Sequence, residues 1–484
     1  MEKLKTALLV LLVATSLVLT YLLWYEEPDY EEAAVAGQEP FIFEEPRSRE
    51  EALNPYRILL PGEEKEYQAL LPEMEGYSPL WEAAKDHLLT GKDREGLQRT
   101  SPPEGDPGLK LYFDPPWPLE GEESEGDVTI LQANKWEWYW EEEAENENEN
   151  ESEEEGEDQD ENDEDEDEEE EKRGSWVVTA TMEGQEEEMF YRIPSREIDE
   201  ELLRLIETAK EHSRLYQYLE EDQLIEEEEI LVAEAPARLF LPGGEIEMPL
   251  LEIKKEEIAT DELLQAIFLD PNLVRKVEER EEKIYTDGER GLTVADGTFQ
   301  YSFPRLEEGE VSLSYFQALE QAVEFLCNYG GWPSQLRLDT INFVEHDPLI
   351  RRQDSYYARW QLYHRGLPLV GARGGVQMTF NDQGLIEYHR YLGMLQEQEG
   401  KITMAPPLKA LEKAADWMRE EGVPEEEGPA LRAMYPAYYV PEVWEGQKIH
   451  PVWVCEFEQQ QIIMRGDNLE FLYQGEDDYG LLQS

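Results

Sequence analysis

Residues Thr6–Tyr25 (TALLVLLVATSLVLTYLLWY) carry no charge and are overwhelmingly apolar. A helix rising ~1.5 Å per residue crosses the ~30 Å hydrocarbon core of a bilayer over about this length. Lys3 and Lys5 precede the run, and Glu26, Glu27 and Asp29 follow it. The positive-inside rule then puts the N-terminus in the cytoplasm and everything after Tyr25 outside, with Trp24 and Tyr25 in the interfacial belt. A cleaved signal peptide would have an apolar region of only ~7–15 residues and a small-x-small site. This run is longer and ends in Leu23-Trp24-Tyr25, so it reads as a retained anchor. Thr15, Ser16 and Thr20 interrupt its Leu/Val pattern, and Ser16 and Thr20 share one helix face. Their hydroxyls either bond back to the preceding turn of their own helix or form a face for a membrane partner.

No second apolar run is long enough to span, so the rest of the 484 residues form a large outside part of about three domains. The formal net charge is −72, and Glu141–Glu171 holds 23 acidic residues and no basic one. That tract accounts for under a third of the charge, so acidity belongs to the folded parts too. Such a surface argues against nucleic acid, which needs a basic face, and against anionic lipid or wall polymer without bridging cations. Cys327 and Cys455 are the only cysteines. A disulfide scaffold is excluded; the two could pair with each other outside the cell if geometry allowed, but two separately buried thiols are the leading expectation.

Residues 26–49 read as an acidic stalk. Residues 50–240 read as an N-terminal domain, 241–398 as a central one and 399–484 as a C-terminal one. In the first, Tyr56–Leu60 is a short strand, Ser78–Leu89 a helix with Ser78 as N-cap, and Asp127–Trp140 a strand. Trp136, Trp138 and Trp140 alternate and so share a strand face. They form either a stacking platform for a ligand such as a sugar or an aromatic face packed on a core. Ser175–Met182 and Met189–Ile193 resume as strands, which makes the acidic tract, 141–171, an insertion between two strands of one sheet. Its like charges repel and it has nothing to build a core from, so it is expected to be disordered. Divalent cations held loosely are the one ligand it offers, without the glycine-punctuated spacing of a calcium loop. Ile198–Leu219 is a helix with Leu202, Ile206, Ala209 and Tyr216 on one stripe. Leu239–Leu241, Pro242-Gly243-Gly244 and Ile246–Ile253 read as a hairpin, Asp261–Leu269 as a short helix, and Lys283–Phe303 as strand, turn, strand.

The last third repeats itself. Phe316, Leu319, Val323 and Leu326 in Ser314–Asn328 match Leu408, Leu411, Ala415 and Met418 in Pro407–Glu421 at a constant offset of 92 positions. The terminating Gly330 and Gly422 obey the same offset and supply left-handed C-caps. Each helix is followed by strands, with Trp360 in one set and Trp453 in the other. The chain therefore ends in two modules of one helix on an antiparallel sheet, and the fold class is α+β.

The six histidines form no His-Glu-x-x-His pair, and none sits beside a cysteine at metal spacing. There is no Gly-x-Ser-x-Gly elbow and no Walker loop. Glu345-His346-Asp347 reads as a solvated turn before Pro348. Carboxylates are so abundant that close acidic pairs carry no information about hydrolase chemistry. No catalytic residues, cofactor or metal ligands are assigned, and the chain is not read as an enzyme. An extracellular hydrolase is the remote alternative.

Three segments carry a family resemblance: Ser16–Trp24 followed by Pro28-Asp29-Tyr30; Ile284–Leu292 (IYTDGERGL); and Phe325–Trp332, ending in Gly330-Gly331-Trp332. In this order the chain resembles the YycH (WalH) family, membrane-attached regulators of the YycG/YycF (WalK/WalR) two-component system of low-GC Gram-positive bacteria. The acidic insertion and the unusual acidity depart from that family. The resemblance implies a single-pass protein with three extracytoplasmic α/β domains, the last two similar to PepSY- and YycI-type modules. It implies two partners, a YycI-like single-pass protein and a sensor histidine kinase governing cell-wall metabolism. A wall- or peptide-binding ectodomain without a kinase partner is the alternative, with the three tryptophans as its best feature.

Overall fold

The computed structural model describes residues 41–62, 66–87, 98–101, 107–122, 128–142, 174–182, 189–193, 200–218, 240–243, 245–255, 259–268, 270–279, 282–295, 297–303, 313–344, 354–371, 375–420, 431–440, 448–457 and 460–476. The expected anchor Thr6–Tyr25, with Thr15, Ser16 and Thr20, lies outside the described residues, as do residues 143–173 of the acidic insertion, Glu345-His346-Asp347 and Gly422. Among the described residues no helix is long and apolar enough to cross a membrane.

The first unit runs α1 (Arg49–Ala52), β1 (Arg57–Pro61), β2 (Glu66–Leu70), α2 (Tyr77–His87), β3 (Gln98–Thr100), β4 (Leu109–Glu122), β5 (Val128–Glu142), β6 (Gly174–Met182), β7 (Met189–Ile193), α3 (Glu200–His212), β8 (Arg214–Tyr218) and β9 (Phe240–Pro242). Its strands form one nine-stranded sheet, ordered β3-β7-β6-β5-β4-β1-β2-β8-β9. β5 and β6 pair antiparallel through Glu141↔Ser175 and Glu142↔Gly174, so the acidic insertion joins two neighbouring strands, as expected. Leu202, Ile206 and Ala209 of α3 are buried. The helix stops at His212, however, and Tyr216 is a strand residue opposite Tyr67, not a fourth member of the stripe. Ser213 ends the helix by donating its hydroxyl to the Lys210 carbonyl at 2.8 Å, and the alternating Arg-Leu-Tyr-Gln-Tyr of β8 then pairs with β2. On the other face of this sheet, buried Glu137 is neutralised by Lys110 at 3.5 Å and Lys135 at 3.3 Å, as a charge inside a fold requires.

The rest of the chain runs β10 (Glu247–Lys255), α4 (Thr260–Ile267), β11 (Arg275–Glu279), β12 (Glu282–Thr286), β13 (Gly291–Ala295), β14 (Thr298–Ser302), α5 (Tyr315–Asn328), β15 (Leu336–Val344), β16 (Ser355–His364), β17 (Leu367–Gly371), β18 (Val376–Asn381), β19 (Gly384–Tyr391) and β20 (Gly393–Thr403). It then continues through α6 (Pro407–Glu420), β21 (Leu431–Val440), β22 (His450–Phe457), β23 (Gln460–Arg465) and β24 (Phe471–Glu476). The expected hairpin across Pro242-Gly243-Gly244 does not form. β9 closes the first sheet on β8, whereas β10 pairs with β20. The turn residues there mark the crossing from one unit to the next.

The remaining strands follow the path β11-β12-β13-β14-β19-β18-β16-β17-β21-β22-β23-β24, with β15 on β16. β17 and β21 pair in parallel and so join the two repeat modules into one continuous path. The repeat itself is sharper than the sequence stripe. Ala318, Leu319, Ala322, Val323 and Leu326 of α5 are buried, and so are Ala410, Leu411, Ala414, Ala415 and Met418 of α6, position for position at the offset of 92. The first expected pair fails: Leu408 is 52% exposed and Phe316 is half-buried. Both stand on the first helical turn, where the stripe has rotated off the sheet.

Candidate functional site

Trp136 and Trp138 of β5 do not form a platform facing solvent. Trp136 and Trp138 are each 1% exposed. Trp136 sits in an aromatic cluster with Trp81, Phe113 and Trp117, at ring-centroid distances of 6.2, 4.7 and 5.1 Å. A stacking surface needs an open ring face, and here α2 supplies Trp81 over it. Trp140 stands near the end of the same strand opposite Trp176, and its side chain lies outside the described residues. Cys327 and Cys455 are both buried and unpaired, as expected. Among the described residues no group of His, Cys, Asp or Glu is arranged to hold a metal ion.

What the fold does assemble is a joint. The segment that precedes the first sheet is tied to the far end of α5. After Phe325 and Tyr329, whose rings stack 6.0 Å apart, the chain leaves the helix through Gly330 at φ 115° and Gly331 at φ 76°. Two successive left-handed residues call for glycine. A Cβ on Gly330 would also sit 2.8 Å from the Arg390 guanidinium. That guanidinium is buried and donates to the Gly331 carbonyl at 2.7 Å. Beside it, the Tyr388 hydroxyl donates to the Tyr329 carbonyl at 3.0 Å. The turn is thus pinned from below by β19.

From above it is held by Glu44 and Arg47. The Trp332 N–H donates to Glu44 Oε2 at 2.7 Å, and Arg47 Nη2 donates to the Trp332 carbonyl at 2.8 Å. Glu44 and Arg47 also bind each other at 2.7 Å, and the guanidinium lies 4.9 Å from the Trp332 ring centroid. The pair acts as a strand edge would, filling one backbone donor and one acceptor. Hydrogen bonds to charged groups contribute about 1.5–3 kcal/mol each when shielded, and less where water competes. The Trp332 ring is itself buried, with its Nε1 donating to the Leu336 carbonyl at 2.7 Å. Burial pushes the Cys327 thiol, the Tyr329 phenol and the Tyr388 phenol above their ordinary pKa values.

Past the clamp, Ser48 and Glu51 cap α1 reciprocally at 3.3 and 3.0 Å, and α1 packs on α5. Asn54 Oδ1 then accepts from Trp81 Nε1 at 2.8 Å, and the Tyr77 hydroxyl donates to the Pro55 carbonyl. One strap of about fifteen residues therefore touches the central module at Trp332 and the first sheet's core at Trp81. The two units also meet directly. The Arg365 N–H donates to Glu73 Oε2 at 2.7 Å, with Glu73 at φ 70° and Arg365 at φ 50°. A Cβ on the adjacent Gly366 would lie 2.5 Å from the Leu71 Cβ. His364 Nε2 and Arg365 Nη2 share Glu397 Oε1 at 2.9 and 2.6 Å.

Glu44, Arg47, Arg365 and Arg390 carry no local pattern in the sequence. Gly330-Gly331-Trp332 does, and it is the centre of the joint. The other quoted motif is a hairpin tip. Asp287 Oδ1 accepts from the N–H groups of Glu289 and Arg290 at 3.0 and 2.8 Å, and Arg290 reaches the Ile267 carbonyl at 3.0 Å.

Residues 2–102 match the family model described as YycH protein, N-terminal domain, and residues 237–408 match YycH protein, C-terminal domain. Among solved structures, the crystal structure of YycH from Bacillus subtilis is similar at a TM-score of 0.55 and 11% identity, over 87% of this chain and 98% of that one. An uncharacterized protein from Eubacterium rectale ATCC 33656 aligns at a TM-score of 0.35 and 11% identity, over 51% of this chain and 89% of that one, which is too distant to carry an argument. No curated protein matches the sequence. The two matched regions together span more than half of the sequence, and the chain belongs to the YycH family.

Proposed function

We propose that this chain is a non-catalytic regulator of a membrane sensor histidine kinase of the YycG type, which controls cell-wall metabolism. In this reading Thr6–Tyr25 spans the membrane with the N-terminus in the cytoplasm. The remainder lies outside, in complex with a YycI-like single-pass protein. Family membership supports the regulatory role, since the YycH name attaches to both matched regions.

The observation that carries the mechanism is the strap. Residues 44–47 are fixed to Trp332 by two hydrogen bonds and a cation–π contact. The connection to the anchor therefore ends on a rigid part of the fold. A regulator shifts a kinase equilibrium only by its differential affinity for the kinase's states. A spanning helix tied to the outer modules through a short stalk can carry that difference to the bilayer, with Thr15, Ser16 and Thr20 as its polar face. Divalent cations on the acidic insertion would be bound loosely and play no part in this step.

The test is co-purification from gently solubilised membranes. Replacing Thr6–Tyr25 with an unrelated spanning helix should abolish kinase association while circular dichroism of the outside part stays unchanged. Unchanged co-purification with the swapped helix overturns the reading. Of the three tryptophans that favoured a wall-binding ectodomain, Trp136 and Trp138 are buried in the first sheet's core, so the kinase-regulator reading is the one put forward.

A further inference from the structure

The long sheet path begins at β11, and among the described residues no strand pairs with its outer side. Residues 275–278 are all exposed, Val277 at 45%, and the preceding Leu273 is 60% exposed. An open edge of this kind is a template for another strand. Its sequence is Arg275-Lys276-Val277-Glu278-Glu279, two cations, one aliphatic residue and two anions. The order is self-complementary. Laid antiparallel on itself about Val277, the strand sets Lys276 opposite Glu278 and Arg275 opposite Glu279 of the second copy.

The backbone phase agrees. β11 and β12 are joined by two residues, with Glu279↔Glu282 as the closing pair. The closing pair of a two-residue hairpin exchanges hydrogen bonds, and alternation then turns the N–H and C=O of Val277 toward β12 and those of Lys276 and Glu278 outward. The outward groups are the ones a register centred on Val277 would use. The two valines become the non-hydrogen-bonded pair on the axis, with Cα atoms ~4.5 Å apart. Within one chain Lys276 Nζ already lies 2.5 Å from Glu278 Oε1. The second copy completes a square of alternating charge on that face.

We infer that β11 is a self-association edge: it pairs antiparallel with β11 of a second copy across a two-fold axis through Val277, continuing the sheet from one molecule into the next. One five-residue strand buries less than the ~1,200 Å² of a standard stable interface, and a net charge of −72 opposes the approach. The contact is therefore weak in dilute solution and gains from molecules held at high local concentration.

Cysteine cross-linking of the full chain reconstituted in lipid vesicles tests this, because Cys327 and Cys455 are buried and leave an introduced thiol to react alone. Under mild oxidant V277C should run as a disulfide dimer on a non-reducing gel. K276C alone and E278C alone should stay monomeric, and a mixture of the two should cross-link, since an opposed hydrogen-bonded pair at ~5.5 Å lies within disulfide reach. Adding K276E to V277C should cut the dimer yield at least several-fold, and adding K276E with E278K should restore it. These positions are exposed, and circular dichroism confirms folding in each case. A monomeric V277C overturns the proposal. So do K276C or E278C cross-linking as fast as V277C, or an undiminished dimer yield when K276E is added to V277C.

Discussion

Gly330 and Gly331 hold the joint because no side chain can follow the path they take. At Gly330 both constraints act, a positive φ and a Cβ placed 2.8 Å from Arg390. At Gly288 only the first acts, since nothing lies within 4 Å. Gly330→Ala should therefore lower the unfolding free energy by more than the ~1–3 kcal/mol of left-handed strain alone, and Gly288→Ala by no more than that. Urea midpoints of the two variants, compared at constant slope, check the difference. Arg47→Ala makes the complementary prediction. It leaves the Trp332 carbonyl to water at a partly exposed position, so stability should fall by only about 1–2 kcal/mol. Proteolysis near residues 41–47 should meanwhile speed up as the strap detaches. Neither Glu44 nor Arg47 could be read from sequence, because each acts on a turn almost three hundred positions away.

Among the elements, the two repeat helices show what a period can and cannot carry. Five buried pairs obey the 92-residue offset, and even the carbonyls before the helices do. The Leu313 carbonyl accepts from the Tyr356 hydroxyl at 3.2 Å and the Ala405 carbonyl from Trp453 Nε1 at 3.0 Å, so the donors differ while the acceptor is kept. Leu319→Ala and Leu411→Ala should each cost about 2–5 kcal/mol, read as shifts in denaturant midpoint. Leu408→Ala, on a half-exposed side chain, should cost under ~1 kcal/mol. β5 illustrates the opposite outcome. Its alternation placed Trp136 and Trp138 on one face, but not on which side of the sheet α2 would lie. Trp136→Ala should cost about 3–5 kcal/mol and quench part of the native fluorescence, with no dependence on any added saccharide.

At the scale of the molecule, charge and topology pull in different directions. A net charge of −72 repels itself in the compact state, and screening by salt weakens that repulsion. The melting temperature of the chain from residue 26 onward should rise by several degrees between ~10 mM and ~0.5 M NaCl. An unchanged or falling value would mean that the ion pairs outweigh the repulsion. The units are tied by different kinds of device, among them the strap at Trp332, the Glu73–Arg365 contact and the parallel β17–β21 pairing. The last makes the two repeat modules one sheet path, and β20 carries the chain unbroken across positions 398–399.

The sequence alone determined whatever depends on near neighbours: the uncharged run Thr6–Tyr25, the acidic insertion between two strands, the helical stripes at a fixed offset, the turn at Asp287-Gly288. Period, capping and turn chemistry act over a few residues, so they are legible without a fold. Only the tertiary structure decided that β9 and β10 part company, that Tyr216 joins a strand, that Trp136 and Trp138 face inward and that Glu44 and Arg47 close on Trp332. Those outcomes rest on which hydrogen-bond partner or apolar face lies nearest in space, and a linear pattern holds no information about that distance.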